Sequence, residues 1–162
     1  MKAISLKQPM AWAIFNGKPV ENRGWNTHYR GPLLIHASRH FDVEDCRWIQ
    51  DNSEELGIKL PSGFLMGYLL GVAELVKVIA KKDSVWDPIP GHPPDVGSQH
   101  NELEYMKKEC PEYFSPWFVG PFGFVLKNAK LFKLPIQYKG KLGIFDVPDE
   151  VVSNALAEIK ER

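Results

Sequence analysis

Residues 17–25 read GKPVENRGW, and together with YRGPLLIHAS at residues 29–38 they carry most of the information about the fold. A dense apolar run at residues 10–15 comes just before them and predicts a short helix, which Asn16 and Gly17 end. The apolar, β-branched character of the following residues predicts strands joined by a turn. The informative stretch therefore begins where a helix ends and a strand starts.

A polar cluster is predicted at this helix–strand junction. Glu21 and Arg23 are two residues apart on a predicted strand, residues 20–25, so their side chains project to the same side. Lys18, in the preceding turn, can share a cleft with them, and such a cluster can bind a phosphate or polarise a carbonyl group. In the structural alternative, Lys18 meets the negative end of the helix dipole and Glu21 pairs with a neighbouring cation.

The rest of the chain reads as short strands separated by turns, with helices at the edges. Further strands are predicted at residues 3–6, 33–37, 67–80, 122–126 and 142–147, and further helices at residues 42–57, around residues 103–110 and after Pro148. This order favours an α+β fold, a small mixed β-barrel with flanking α-helices, over a βαβ sheet. We expect a single domain, 1–162, with a proline-rich loop at about 83–100 that is either a lid or a surface excursion.

Charge is segregated along the chain, although 20 basic side chains balance 20 acidic ones. Residues 1–41 contain six basic residues against one acid, and residues 127–141 contain five lysines and no acid. Residues 83–113 carry seven acids and two lysines. If the two basic segments meet in space, they form a positive face for phosphates; if they point apart, they are only solvated.

Composition excludes several classes of protein. The balanced charge excludes binding by bulk charge, and 5 Trp, 5 Tyr and 9 Phe exclude a disordered chain. Cys46 and Cys110 form neither a CxxC motif nor a disulfide framework, which is typical of a reducing compartment. The longest uncharged apolar stretch, residues 64–73, is about half of what spans a bilayer. We therefore expect a cytoplasmic protein without a membrane segment.

The motif resembles that of the ASCH family, the activating signal cointegrator homology domains, whose barrel is similar to the PUA domains of RNA-modifying enzymes. The family pattern is a lysine, an acid or threonine three residues later and an arginine two beyond, after a helix that begins near Gln-Pro. Those positions are Lys18, Glu21 and Arg23 here, after Gln8 and Pro9. The likeness continues through residues 30–34, 71–75, 120–123 and 140–143. The resemblance implies a PUA-like barrel. It also favours a ligand-binding cleft at Lys18, Glu21 and Arg23 over a purely structural role for these residues.

The resemblance implies a domain that binds RNA or a nucleotide-derived small molecule through a basic cleft around Lys18, Glu21 and Arg23. It also implies a hydrolase as an alternative, because one branch of the family resembles amidohydrolases of acetylcytidine and another is associated with ribonuclease activity. Glu21 stands where the amidohydrolases have a threonine, so a carboxylate would have to activate water in place of a hydroxyl nucleophile. A protein-binding adaptor is a further alternative. We expect no cofactor and no metal.

The residues singled out fall into two groups. The candidate catalytic residues are Lys18, Glu21 and Glu74, the last because it lies in an apolar row of the strand at residues 67–80. The candidate ligand contacts are Lys7, Lys18, Glu21, Arg23, Trp25, Arg30, His36 and Trp117. Trp25 and Trp117 lie among glycines, prolines or polar residues, where an indole can line a base-binding cleft. His36 and His40 have the spacing of helical metal ligands, but their segment reads as strand and turn.

Overall fold

The computed structural model describes residues 1–81 and 99–160, so residues 83–98 of the proline-rich stretch lie outside the described part of the chain. The strands are β1 (Lys2–Gln8), β2 (Val20–Arg23), β3 (Gly31–Phe41), β4 (Tyr68–Ala80), β5 (Phe122–Gln137) and β6 (Ile144–Asp146). The helices are α1 (Met10–Ile14), α2 (Val43–Asp51), α3 (Ser53–Leu56), α4 (Gln99–Glu109) and α5 (Asp149–Lys160), with a 3-10 turn at Pro111–Phe114. The α+β fold expected from the sequence is confirmed.

The strands form one mixed sheet of six strands in the order β2-β5-β4-β3-β1-β6. β1 runs parallel to β3, and the other neighbouring pairs are antiparallel. β2 is held at one edge through its pairing with the first four residues of β5. The predicted polar motif therefore lies on an edge strand.

The closed barrel predicted from the sequence is wrong, because no ladder joins β2 to β6 or β1 within the described residues. β6 pairs with β1 only at Lys2, Ala3 and Ile4. The next residue, Ser5, is reached by the opposite edge of the sheet: Arg23 Nη2 on β2 donates a hydrogen bond of 2.8 Å to its carbonyl oxygen. The sheet is thus open but curled. In a closed barrel, a pair of hydrogen-bonded strands would join the two edges; here the Arg23 side chain connects β2 to β1.

Apolar cores lie on both faces of the sheet. Because successive side chains of a strand point to opposite faces, a strand that is covered on both faces buries nearly all of its residues. In β3, Leu33 and Ile35 face a core that includes residues of α1, whereas Leu34 faces a second core that includes residues of α5. The α1 core consists of Ile4, Leu6, Ala11, Ile14, Leu33, Ile35, Ala37, Leu70, Ala73, Leu75, Phe124 and Leu126. The α5 core consists of Ala3, Leu34, Leu69, Phe132, Phe145, Val147, Val152 and Ile159. The continuous apolar runs in these strands follow from this double burial.

β5 is much longer than predicted, because it continues from the expected end at residue 126 to Gln137. Its pairing with β4 is interrupted by a large bulge: Leu69 is opposite Ile136, whereas Gly71 is opposite Leu131. A two-residue step on β4 therefore matches a five-residue step on β5, which bends the strand.

At Gly71, β4 packs closely against the backbone of β5 and the ring of Phe15. A Cβ atom there would lie 2.9 Å from Leu131 Cα and 2.9 Å from Phe15 Cε1, and it would overlap the carbonyl oxygen of Lys130. We expect Gly71→Ala to lower the free energy of unfolding by about 1–3 kcal/mol through overpacking. Gly63→Ala is the control, because nothing lies within 4 Å of a Cβ at that position. Chemical denaturation measures both, and equal midpoints would contradict the expected overpacking.

Candidate functional site

Lys18, Glu21 and Arg23 form a chain of opposite charges at the junction of α1 and β2. Lys18 Nζ donates a hydrogen bond to Glu21 Oε2, and Arg23 Nη2 lies 3.2 Å from Glu21 Oε1. The side chains of Lys18 and Glu21 are only 2% and 10% exposed. Charged groups are rarely buried this deeply unless they are paired. Here the carboxylate of Glu21 is paired with two cations, those of Lys18 and Arg23. The structure thus brings the three motif residues together.

The turn after α1 places Lys18 in this cluster. The amide of Lys18 donates to the carbonyl oxygen of Ala13 at 3.0 Å, and β2 begins two residues later at Val20. Lys18 Nζ also lies 5.9 Å from the centre of the Trp117 ring, a cation–π distance. The ammonium is therefore held between a carboxylate and an indole face.

A cleft of about 540 Å³ lies beside this cluster, and we call it the tryptophan cleft. It is lined by Met10, Lys18, Glu21, Asn22, Glu44, Asp45, Trp48, Pro116, Trp117 and Val119. Trp48 on α2 and Trp117 meet edge to face, with ring centres 5.3 Å apart. Trp117 is 5% exposed, whereas Trp48 is half-buried. Trp48 is thus the indole that has a free surface, and Trp117 supports Lys18 from within.

Asn22 attaches the wall that contains Trp117 to β2. Its Nδ2 donates to the carbonyl oxygen of Trp117 at 2.8 Å, and its Oδ1 accepts from the amides of Val119 at 2.9 Å and Gly120 at 3.2 Å. Three hydrogen bonds from one side chain position the stretch around Trp117. The sequence analysis did not single out Asn22, although it lies inside the motif.

The tryptophan cleft is not basic, which corrects the expectation from the sequence. Glu21, Glu44 and Asp45 line it together with one ammonium, that of Lys18. The N-terminus of α2 brings the last two carboxylates there, after the capping residue Asp42. Burial and then the negative charge of Asp42 raise the pKa of the Asp45 carboxyl. The motif's cations are neutralised locally, so the cleft does not favour a phosphate.

Three other candidate contacts do not line the tryptophan cleft. Lys7 is exposed and lies 3.5 Å from Asp42 Oδ2. Arg30 is exposed, and its Nη1 donates to the carbonyl oxygens of its neighbours at positions 27 and 29. Trp25 is 36% exposed and packs edge to face on the core ring of Phe124, at 5.1 Å. These residues lie outside the cleft that the motif builds.

Glu74 is exposed, so the expectation that it lies in a buried apolar row is wrong. Its Oε2 accepts a hydrogen bond of 3.2 Å from Asn128. The period-2 row that predicted burial breaks near Leu70, where β4 has an extra residue opposite Ile35 and His36. Beyond this bulge, the core-facing residues are Ala73 and Leu75, which places Glu74 on the other face.

His36 on β3 is buried and lines a second cavity of about 710 Å³. Its Nε2 donates to the carbonyl oxygen of Tyr138 at 2.9 Å, and Ser5 Oγ donates to its Nδ1 at 2.9 Å. Burial lowers the pKa of His36. The imidazole is therefore neutral and structural.

We call this second cavity the basic groove. It is lined by Ser5, His36, Ser38, Arg39, His40, Gly67, Gln137, Tyr138, Lys139, Gly140, Lys141 and Leu142. Its cations come from both basic segments of the sequence: Arg39 from the first, and Lys139 and Lys141 from the second. Lys127, Lys130 and Lys133 lie instead along β5. The two basic segments thus meet over part of their length.

No protein-family model matches the sequence, and no curated protein matches it. Among solved structures, the chain is similar to the ASCH protein of Zymomonas mobilis, with 16% identity, a TM-score of 0.48 and coverage of 98% of this chain and 94% of that one. A tyrosine-to-phenylalanine variant of that protein has 15% identity, a TM-score of 0.48 and 96% coverage of both chains. A serine-to-alanine variant has 16% identity, a TM-score of 0.48 and coverage of 97% and 94%. The chain is thus similar to ASCH domain structures over nearly its whole length.

In the part of the chain that the structure describes, no helix is both long enough and apolar enough to cross a membrane.

Glu21→Gln tests the energetic role of the shared carboxylate. We expect it to lower the free energy of unfolding by roughly 3–5 kcal/mol, because it leaves the buried Lys18 ammonium without a counter-charge. The double variant Lys18→Met/Glu21→Leu should recover part of this loss, since it removes the buried ammonium together with its partner and leaves only the less buried Arg23 without its ion pair. Urea denaturation measures all variants.

Glu44→Gln is the control for that prediction. Glu44 is exposed and pairs with Arg47 at 3.0 Å, so its substitution should change stability by about 0.5 kcal/mol or less. Equal losses for Glu21→Gln and Glu44→Gln would contradict a structural role for the buried pair.

Proposed function

We propose that the chain is a PUA-like ASCH domain whose tryptophan cleft binds a nucleobase, either in RNA or in a nucleotide-derived small molecule. The observation that carries this proposal is the buried Lys18–Glu21 pair at the wall of a cleft with an available indole, that of Trp48. The match of Lys18, Glu21 and Arg23 to the family motif supports the ASCH assignment.

The size of the cleft suits a small group such as a nucleobase or a nucleoside. Its volume of about 540 Å³ lies in the range of small-molecule sites, roughly 300–1,000 Å³. Met10, Pro116 and Val119 add apolar walls to the indole of Trp48. Flat apolar surfaces of this kind suit the faces of a base, which stack on aromatic side chains.

The polar groups of the cleft suit the edge of a base better than a phosphate. Glu21 accepts hydrogen bonds, and Lys18 next to it donates them, so a donor and an acceptor stand side by side. The exocyclic amine and the neighbouring ring nitrogen of cytosine or adenine present the complementary pair. An ammonium has three protons and a carboxylate about four lone-pair sites, so their mutual bond leaves capacity for a ligand. The carboxylates of Glu44 and Asp45 would repel a phosphate there.

Trp48→Leu tests the stacking surface. We expect it to weaken the binding of cytidine, adenosine and a short single-stranded RNA by about 1–3 kcal/mol, roughly 5- to 150-fold, the usual contribution of a stacked base. Trp12→Leu is a matched control, because Trp12 packs in the same apolar cluster as Trp48 but does not line the cleft. Calorimetric titration measures the affinities, and wild-type affinity in Trp48→Leu would refute the proposed cleft.

A second candidate function, hydrolysis of an acyl group on a nucleoside, is favoured by one observation. The Asp45 carboxyl, whose pKa is raised, shares the cleft with Lys18 and Glu21. As a general base it would take a proton from water, whose oxygen attacks the acyl carbonyl; the C–N bond then breaks and the amine leaves with a proton. Lys18 would donate to the developing oxyanion.

Turnover of acetylcytidine to cytidine and acetate tests this second function. We expect Asp45→Asn to reduce product formation at least about 100-fold, the usual contribution of a general base. Turnover should rise as the pH rises through the pKa of Asp45, since the base must be ionised. Asp51→Asn, at an exposed carboxylate of α2 that does not line the cleft, should keep the wild-type rate. Mass spectrometry detects the cytidine; its absence with wild-type protein, or an equal rate in Asp45→Asn, would exclude this chemistry.

A further inference from the structure

The basic groove is built from two segments that are about 100 residues apart in the sequence. The end of β3 contributes Ser38, Arg39 and His40, and the loop after β5 contributes residues 137–142. Arg39, Lys139 and Lys141 are all exposed at this cavity. The two strands thus place three cationic side chains around one concavity.

Buried contacts fix the loop that carries Lys139 and Lys141. Gly140, between them, packs directly on the His36 ring: a Cβ atom there would lie 2.5 Å from His36 Cε1, and it would overlap Ser5 Oγ. The carbonyl oxygen of Tyr138 accepts from His36, as described above. The backbone of the loop therefore rests on a buried, neutral imidazole, and the two lysines extend from a fixed base.

The other wall is fixed in a similar way. The amide of Tyr138 donates to the carbonyl oxygen of Gly67 at 3.1 Å, which ties the loop to the start of β4. Gly67 also makes room for the Arg39 side chain, since a Cβ atom there would lie 3.2 Å from Arg39 Nε. The Arg39 side chain therefore passes beside the start of β4, next to the residue that ties the loop to that strand.

The cations of the groove form no ion pair in the part of the chain that the structure describes. Its lining includes no carboxylate, and the ion pairs among the described residues involve none of Arg39, Lys139 and Lys141. The carboxylate of Asp146, which feels the charge of Lys141, is already bound to Lys2 at 2.9 Å. A concave surface lined by cations of one sign attracts anions.

We propose that the basic groove binds the phosphate groups of a single-stranded RNA whose base occupies the tryptophan cleft. This proposal rests on the proposed function and names its ligand as a strand. The two sites differ in charge: the cleft contains carboxylates and repels phosphate, whereas the charged residues that line the groove are all cations. Arginine binds phosphate through two parallel hydrogen bonds, and lysine binds it as a point charge.

The spacing of the two sites suits a short stretch of one strand. His40 lines the groove and Asp45 lines the cleft, and they are five residues apart in the chain. Their Cα atoms are therefore at most about 18 Å apart, even in fully extended chain. A few nucleotides of extended RNA cover such a distance, so one strand can contact both sites.

The test compares the double variant Lys139→Ala/Lys141→Ala with the matched double variant Lys130→Ala/Lys133→Ala. Both remove two exposed lysines, but the second pair lies on β5 outside the groove. Binding of an eight-nucleotide single-stranded RNA is measured from low to physiological salt. We expect the groove variant to reduce the slope of log affinity against log salt by about 1.4, since each phosphate contact on a single strand contributes about 0.7. The matched variant should keep the wild-type slope.

Further arms separate this proposal from the proposed function. Cytidine binding should be the same in the groove variant as in the wild type, and it should be weakened in Trp48→Leu as predicted above. Weaker cytidine 5′-monophosphate binding in the groove variant would support a terminal phosphate in the groove, and an effect on RNA alone would support internal phosphates. If the groove variant reduces the slope of log affinity against log salt but Trp48→Leu leaves cytidine binding unchanged, the result supports the groove and refutes the cleft. An unchanged slope in the groove variant, or an equal reduction of the slope in both lysine double variants, would overturn the proposal that the groove binds phosphate.

Discussion

The carboxylate of Glu21 is the group on which the rest of the site depends. It lies between the cations of Lys18 and Arg23, which come from a turn and from a strand. An unpaired charge in this environment costs several kcal/mol, so the turn after α1 and the edge strand β2 are held in one arrangement. Arg23 transmits this constraint further, because it also binds the backbone of Ser5 on β1. One buried anion thus fixes the end of a helix, an edge strand and the curl of the sheet.

The curled sheet separates two surfaces of different chemistry. On one side, α2 brings carboxylates and an indole to the buried pair, which makes a polar and aromatic cleft with more carboxylates than cations. On the other side, the end of β3 and the loop after β5 bring cations together without acids. Ser5 belongs to both arrangements, since its carbonyl oxygen binds Arg23 and its hydroxyl binds His36. A base and a phosphate backbone would each find a separate environment a short distance apart.

The local arrangement of the motif could be predicted from the sequence, because it depends on short-range rules. Asn16 and Gly17 end a helix, and a two-residue spacing places Glu21 and Arg23 on one side of a strand. The second half of β5 could not be predicted, because its lysines and Pro135 are typical of a loop and its pairing runs through a bulge. Similarly, the predicted helix at residues 42–57 is divided at Asn52 into α2 and α3.

The partners of the motif were harder to predict, because they depend on long-range packing. Trp48 and Asp45 lie on a short helix whose pattern is that of an ordinary surface helix. Their place in the cleft depends on contact with Trp117, 69 positions from Trp48, which no local pattern records. Glu74 shows the opposite error: strict alternation along β4 predicted burial, and one extra residue in the strand moved it to the surface. Bulges and distant contacts, rather than propensities, account for these differences.

The attachment of the Trp117 wall makes the cleft modular. Asn22 holds the wall only through backbone atoms: one carbonyl oxygen and two amide groups. The exposed side chains of Pro116 and Val119 can therefore be exchanged without loss of the attachment, while Trp117 and the buried pair behind it stay unchanged. Part of the cleft wall thus lies in residues that do not hold the site together, so substitutions there can alter ligand selectivity without loss of stability.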